Sequence, residues 1–408
     1  MIRAKTTANH ATFDQHGSRA RAVQPRTNGA RARRSANLAA VFAICSCSVV
    51  IRKCSWRAWF GAATASAWLA GSAVAQAGDG AGVALNDVHF HLTNYVQRGP
   101  DIHEFLKMMG DSVGRVALFG IPLQQQWRVD INGNRAPTYY LQSDAPLYYY
   151  SFTDAFIAMQ YRSLTPAQQG RFDPMITGFN PGDIYAADHI RRVLSVFPGV
   201  FTGIGEFTIH KEFVSSKTEP GPASLLDPAL DSVLALAGEA GLVVILHNDM
   251  DVPFPSDTAQ PAYLEQMKAL VRRHPTTTII WAHTGVGRIV RPVKGHAAVL
   301  ESMLADPAFR NLYFDISWDE VAKYFVASPE ATRIGAAMIE RYPDRFLFGT
   351  DAVGPTAAAP WLKTYNLYVP LWAALSPGAS LKVRVQNYER LFDTARRNVR
   401  AWEAAHSK

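Results

Sequence analysis

Two histidines stand one residue apart in NDVHFHLTN, Asn86 to Asn94. Side chains alternate along a strand, so His89 and His91 face one way and Val88 and Phe90 the other. Asp87 shares the histidine face and is expected to orient one of their rings. Imidazoles converging in this way suit a shared cation, although a lone pair of them on an exposed strand would simply be solvated. Further ionisable residues end other short apolar runs: Glu206 in FTGIGEF, His247 in LVVILHN, His283 in TIIWAHT, Asp315 in LYFDISW and Asp351 in RFLFGTD. Any one of them alone is more often structural, and an Asp after Gly-Thr is commonly a helix cap. Together, at the ends of strands, they are expected to meet. Imidazole and carboxylate without sulfur suit Zn²⁺, Mn²⁺, Co²⁺ or Fe²⁺.

Positioning these residues requires a repeating frame. With ALNDVHFHL, RVALFGI and PMITGF, the runs make eight short strands, bounded by Gly, Pro or polar residues. Amphipathic stretches alternate with them: DIHEFLKMMGD, DIYAADHIRRVLSVF, LLDPALDSVLALAGEAG, PAYLEQMKALVRRH and EATRIGAAMIERY. Eight strands alternating with helices predict an α/β protein, a single (β/α)₈ TIM barrel, whose chemistry lies at the C-terminal strand ends. The stretch SLKVRVQNYERLFDTARRNVRAWEAAH predicts a closing C-terminal helix. Residues 124–150 form an insertion after strand two that is too long for a simple connector.

The sequence has 408 residues, is 48% hydrophobic and carries a formal net charge of +7. Residues 1–77 hold eleven Lys or Arg and one acid, Asp14, whereas the remainder is net −3. A basic footprint for nucleic acid is therefore not expected on the folded part. Arg52, Lys53 and Arg57 precede an Ala-rich apolar run ending in Ala75-Gln76-Ala77, the pattern of an export leader. We expect cleavage after Ala77, giving 1–77 as leader, 78–83 as a flexible link and 84–408 as the barrel. The expected product is exported, periplasmic or secreted, with no stable membrane insertion once the leader is removed. Cys45, Cys47 and Cys54 all lie in the leader, so a mature chain has no disulfide and no thiolate ligand.

The combined set resembles the amidohydrolase superfamily of metal-dependent hydrolases. That family's pattern is HxH on strand one, Lys or Glu on strand four, His on strands five and six, and Asp on strand eight. It falls here on His89 and His91, Glu206, His247, His283 and Asp351. The segments WAHTGVGR and VQNYERLF look like the amidohydrolase-related branch, which includes decarboxylases and lactone hydrolases. The resemblance covers roughly residues 84–396.

It implies one or two divalent ions, Zn²⁺ first, held by His89, His91, His247 and Asp351, with Glu206 and His283 joining in a two-ion form. A bound ion would activate water towards an amide, ester or lactone bond of a small molecule. Asp351 and His283 would be catalytic, the first moving the proton and the second polarising the scissile carbonyl. Substrate contacts of lower rank are Arg288, which could clamp a carboxylate, Trp318, and Tyr139 and Tyr140 of the insertion. His210, Asn248, Asp249, Asp251 and Asp319 are further rim candidates, whereas His103, His189, His274 and His296 read as surface residues. A non-oxidative decarboxylase on the same barrel is the alternative, and a barrel that only binds ligand ranks third. Homo-oligomerisation is left open.

Overall fold

A computed structural model describes residues 84–94, 98–121, 152–211, 224–255 and 260–406. The leader with its cysteines, the 124–150 insertion, and Tyr139 and Tyr140 lie outside these residues. Among the described residues the apolar runs become nine parallel strands. They are β1 (Leu85–His91), β2 (Val113–Phe119), β3 (Phe172–Ile176), β4 (Gly203–Thr208), β5 (Val243–His247), β6 (Ile279–Trp281), β7 (Leu312–Asp315), β8 (Phe346–Leu347) and β9 (Ala352–Val353). Every residue of β1, β4 and β5 is buried, and β5, VVILH, accordingly reads as a near-continuous apolar run.

The strand order β8-β7-β6-β5-β4-β3-β2-β1-β9 closes on itself, because β8 and β9 belong to one continuous segment. Phe346 and Leu347 pair with Phe314 and Asp315 of β7 on one side. Ala352 and Val353 pair with Phe90 and His91 of β1 on the other. Between them the Val88 N–H donates to the Phe348 carbonyl (3.1 Å), and the Asp351 N–H donates to the His89 carbonyl (2.8 Å). The result is the expected TIM-like barrel, with strand eight divided in two.

The longer helices lie outside: α1 (Ile102–Met109), α2 (Thr153–Arg162), α3 (Ala186–Val196), α4 (Pro228–Ala240), α5 (Leu264–Arg273), α6 (His296–Ala305), α7 (Asp319–Phe325), α8 (Pro329–Arg341), α9 (Ala358–Leu367) and α10 (Asn387–His406). Local chemistry sets their limits. Asp101 accepts from the His103 N–H at the start of α1, and Ser328 from the Ala331 N–H at the start of α8. Gly241, at φ 75°, ends α4 in the left-handed conformation. No helix among the described residues is long and apolar enough to cross a membrane.

Two apolar clusters divide the barrel. The larger packs the outer strand faces on the helices, while a smaller inner one joins Val88, Phe119, Met175, Ile245 and Leu347 to Tyr388 and Phe392 of α10. The closing helix thus packs its aromatic side chains against the barrel interior. Asp173 accepts there from Arg115 Nη2 (2.8 Å), Arg396 Nη2 (2.7 Å) and the Tyr388 hydroxyl (2.9 Å).

β1 departs from simple alternation. Its register with β2 shifts twice, with an extra residue on β2 between Leu85 and Asp87 and one on β1 between Asp87 and Phe90, and the side chains after the second shift change face. Val88 joins the inner cluster, and Phe90 stacks outward on Phe105 and Trp361. Asp87 also turns to the outer layer, where it accepts from Trp361 Nε1 (2.9 Å), Thr350 Oγ1 (2.6 Å) and the Thr350 N–H (2.9 Å). The expectation that Asp87 orients a histidine ring is therefore wrong. It ties β1 to the closing segment and to α9.

Candidate metal centre

His89 and His91 end β1, Glu206 lies on β4, and His247 is the last residue of β5. His283 and Asp351 do not lie on strands. β6 stops at Trp281, and His283 follows in a tight turn with φ 56° and ψ 21°; Asp351, between β8 and β9, has φ 53°. Trp318, after β7, has φ 80°. Left-handed backbone is unfavourable for side chains of this size and persists where surrounding contacts over-determine it. Here the Asp315 carboxylate accepts from the His283 N–H (2.9 Å), and the His89 carbonyl holds the Asp351 N–H.

All six residues meet at the rim. The Asp351 carboxylate lies 3.3 Å from His89 Nε2, 3.1 Å from His91 Nε2 and 3.9 Å from His283 Nε2. Glu206 sits 3.5 Å from His91 Nε2, 3.7 Å from His89 Nε2, 3.7 Å from His283 Nε2 and 2.6 Å from His247 Nδ1. These residues form three overlapping triads, each with ligand atoms within 4.8 Å of one another: His89-His283-Asp351, His89-His91-Glu206 and Glu206-His247-His283.

The outer partners settle which ring nitrogens carry protons. His91 Nδ1 is 2.6 Å from the Gly120 carbonyl, which can only accept, so Nδ1 donates. His89 Nδ1 likewise donates to Asp315 Oδ2 at 3.0 Å. The Ser317 hydroxyl spends its hydrogen on Asp315 Oδ1 (2.5 Å) and so accepts from His283 Nδ1 (2.9 Å). Three histidines thus turn Nε2 lone pairs towards two carboxylates, an acceptor-on-acceptor arrangement that needs a proton or a cation between. His89 Nε2 and His283 Nε2 are buried without a hydrogen-bond partner among the described residues. This donor set of nitrogen and oxygen fits a divalent ion.

His247 differs from the others. Its Nδ1 faces Glu206 and its Nε2 faces Asp249 Oδ1 (3.1 Å), so both ring nitrogens meet carboxylates.

The charges follow from this packing. Burial opposes every ionised form here, and for Asp351 it is outweighed by His89, His91 and His283, which hold the carboxyl below its usual range. For Glu206 burial is likewise outweighed by Lys211 and His247, and the carboxyl is held well below its usual range. Burial also opposes the His89 imidazolium, but Asp315 and Asp351 raise that ring well above the ordinary value. For His283 burial prevails and lowers the ring. Around neutral pH the two carboxylates are therefore anions.

One wall of the site is cationic. Lys211 Nζ lies 3.8 Å from Glu206 Oε1 and 5.5 Å from the centre of the Trp318 ring. The Arg288 guanidinium lies 5.6 Å from the same ring, and its Nε is 3.6 Å from Glu320. Trp318 itself packs on His283, with ring centres 4.9 Å apart. Arg288 and Trp318 are therefore next to the expected ligands.

Other rim candidates have structural partners. Asp251 accepts from the Val252 and Ala262 N–H groups, and Asp319 accepts from Lys363. His210 stacks on Tyr263, with ring centres 3.6 Å apart. Two histidines expected at the surface are not there in full: His274 is largely buried against Asp231 (2.7 Å), and the ring nitrogens of His296 are shut off from solvent.

The sequence pattern alone gives Asp315 no role and does not point to Ser317 or Lys211. The i, i+2 spacing of Asp315 and Ser317 repeats that of His89 and His91, which was the available signal. Lys211 lies beyond β4, where strand periodicity carries no information.

The amidohydrolase family model matches residues 87–394. The chain belongs to that family. Among curated proteins no sequence matches. Solved structures with a similar course include a candidate 2-pyrone-4,6-dicarboxylic acid hydrolase from Pseudomonas putida, at 14% identity and a TM-score of 0.45, covering 76% of this chain and 98% of that one. Another is 5-carboxyvanillate decarboxylase from Sphingomonas paucimobilis, at 16% identity and a TM-score of 0.41, covering 73% and 84%. A dihydroorotase from Campylobacter jejuni matches at 12% identity and a TM-score of 0.43, covering 76% and 83%.

Proposed function

We propose that the protein is a metal-dependent hydrolase of small molecules, acting on an amide, ester or lactone bond. The observation that carries this reading is the set of Nε2 lone pairs of His89, His91 and His283 facing the Glu206 and Asp351 carboxylates. His89, His91, His247, His283, Glu206 and Asp351 would hold one or two ions, Zn²⁺ first. Such an ion, when bound, supplies Lewis acidity that makes water nucleophilic near neutral pH. Asp351, anionic and fixed by the seam of the barrel, accepts the proton of the attacking water and returns it to the leaving group. His283, held in one tautomer by Ser317, orients the scissile carbonyl when it is not itself a ligand. Trp318 supplies a face for a planar substrate, and Lys211 and Arg288 beside it favour one that carries a carboxylate.

That same cationic, aromatic wall favours a second reading, decarboxylation of a carboxylated ring. The two are separated by assaying ring opening or ester cleavage against CO₂ release, with panels of lactones, esters and aromatic carboxylates, before and after chelation. The hydrolase reading expects cleavage that chelation abolishes and metal restores, without CO₂. CO₂ release would overturn it in favour of the second reading, and activity indifferent to chelation would overturn both. Metal content per chain, compared between the natural protein and Glu206→Gln, reports the number of ions. A fall from two to one supports a bridging Glu206, and one ion in both argues against it.

A further inference from the structure

The His247 ring has a buried carboxylate at each nitrogen: Glu206 Oε1 is 2.6 Å from Nδ1, and Asp249 Oδ1 is 3.1 Å from Nε2. Without an added proton an imidazole has one N–H and one lone pair, so it can donate to only one of the two. The carboxylates are not equivalent. Glu206 belongs to two of the three triads of the cluster, and its Oε1 also lies 3.7 Å from His283 Nε2. Asp249 belongs to none of the three. The Nδ1 side of the ring is therefore the side of the cluster, and the hydrogen is left on Nε2 for Asp249. This reverses the arrangement of His89, His91 and His283, whose Nδ1 atoms donate to outer partners.

Asp249 is held where it can take that hydrogen. It is 1% exposed, on the loop after β5. Its N–H donates to the His210 carbonyl (2.8 Å). Its neighbours are tied to β6 and the turn that follows: Trp281 Nε1 donates to the Asn248 carbonyl (2.7 Å), and the Met250 N–H to the Gly285 carbonyl (2.7 Å). These bonds fix the backbone of the loop whatever side chain stands at 249. The carboxylate lies against Gly287, where a β-carbon would stand 2.8 Å from Oδ1 and 3.1 Å from Oδ2. Any side chain at 287 would thus push the carboxylate from its place. We propose that Asp249 is a positioning residue of the metal centre: it takes the Nε2 hydrogen of His247, so that this ring, unlike the other three, meets the ion through Nδ1. The inference rests on reading the cluster as a metal centre. A carboxylate behind a ligating imidazole also raises the basicity of the ring, and Asp249 does for His247 what Asp315 does for His89.

Zinc is the probe, added to the full chain carrying isotope-labelled histidine. Proton–nitrogen correlation spectra report which nitrogen of each ring bears hydrogen and which is metal-bound. The natural protein should show one zinc-bound ring with its hydrogen on Nε2, and that ring should be missing from His247→Gln. Asp249→Ala should lose this signature and weaken zinc by about 10–100-fold in chelator competition. Asp249→Asn, whose amide oxygen can still accept, should lose less. Gly287→Ala keeps every charge and should also weaken zinc, because its methyl group displaces the carboxylate. A residue that merely braced its loop would lower the melting temperature of Asp249→Ala and leave the tautomer and the zinc affinity as they were, and that result overturns the proposal. So does a natural protein whose His247 meets zinc through Nε2. Should Asp249→Ala fail to fold, the spectrum of the natural protein and the affinity of Gly287→Ala decide. A natural protein that binds no zinc overturns the metal-centre reading itself, and this proposal with it.

Discussion

Ser317 contributes one oxygen, and that oxygen fixes a ring. By donating to Asp315 it can only accept from His283, which presents the opposite nitrogen of His283 to the site. Ser317→Ala removes that acceptor and leaves the tautomer free. Outer partners of this kind are worth about 10–100-fold in metal affinity, so chelator competition should show a loss of at least about 10-fold. Unchanged affinity would mean that His283 is held by other means. His296 makes a different prediction, about pH. Its proton affinity is lowered from 6.5 to about 4 in the fold. Between those values the unfolded chain binds more protons than the folded one, so acidification favours unfolding. The stabilising contribution is complete above about pH 6.5 and is lost as the pH falls towards 4, amounting to roughly 2–3 kcal/mol. Urea unfolding at a series of pH values should show a flatter acid limb for His296→Leu. An identical limb would mean that His296 is not held neutral.

The element on which most depends is the closing segment from β8 to β9, bonded to β7 at one end and to β1 at the other. Asp87 fastens it by accepting from Thr350 twice and from Trp361. Asp87→Ala leaves four donors buried and unpaired, two on Thr350, one on Trp361 and the His89 N–H, and should cost about 3–5 kcal/mol. A thermal melt reads this directly, and a loss below about 1 kcal/mol would show that the seam does not depend on Asp87. The role of Asp87 was not legible in the sequence. Counting alternate residues puts it beside His89, but register shifts against β2 on either side of Asp87 send it outward. His283 and Asp351 were legible as site residues but not as left-handed ones. Their positive φ comes from bonds to Asp315 and His89, which are far away in sequence. The ends of β1 and β5 were readable, because each strand is buried throughout and stops at a histidine, His91 or His247.

At the scale of the whole molecule the barrel was readable for a simple reason. Alternating short apolar runs and amphipathic stretches leave few architectures, and polar residues at strand ends then converge without any knowledge of contacts. The cationic wall was less so, since Lys211 and Arg288 meet over Trp318 only once three loops are assembled. We also propose that residues 1–77 act as an export leader. Mass spectrometry of the exported protein should find Gly78 at its N-terminus, with the basic excess of the leader removed. An exported chain that begins upstream would overturn that boundary.

The seam has a further consequence for how the protein is made. Asp351 lies on the last-formed boundary of the barrel, and its backbone is held by the His89 carbonyl near the first. A nascent chain leaving the ribosome therefore displays His89, His91 and Glu206 long before it has the residue that faces them. Until position 351 has been synthesised and the ring has closed, the growing polypeptide lacks one of the six clustered side chains. Assembly of the full cluster thus requires that the barrel has closed.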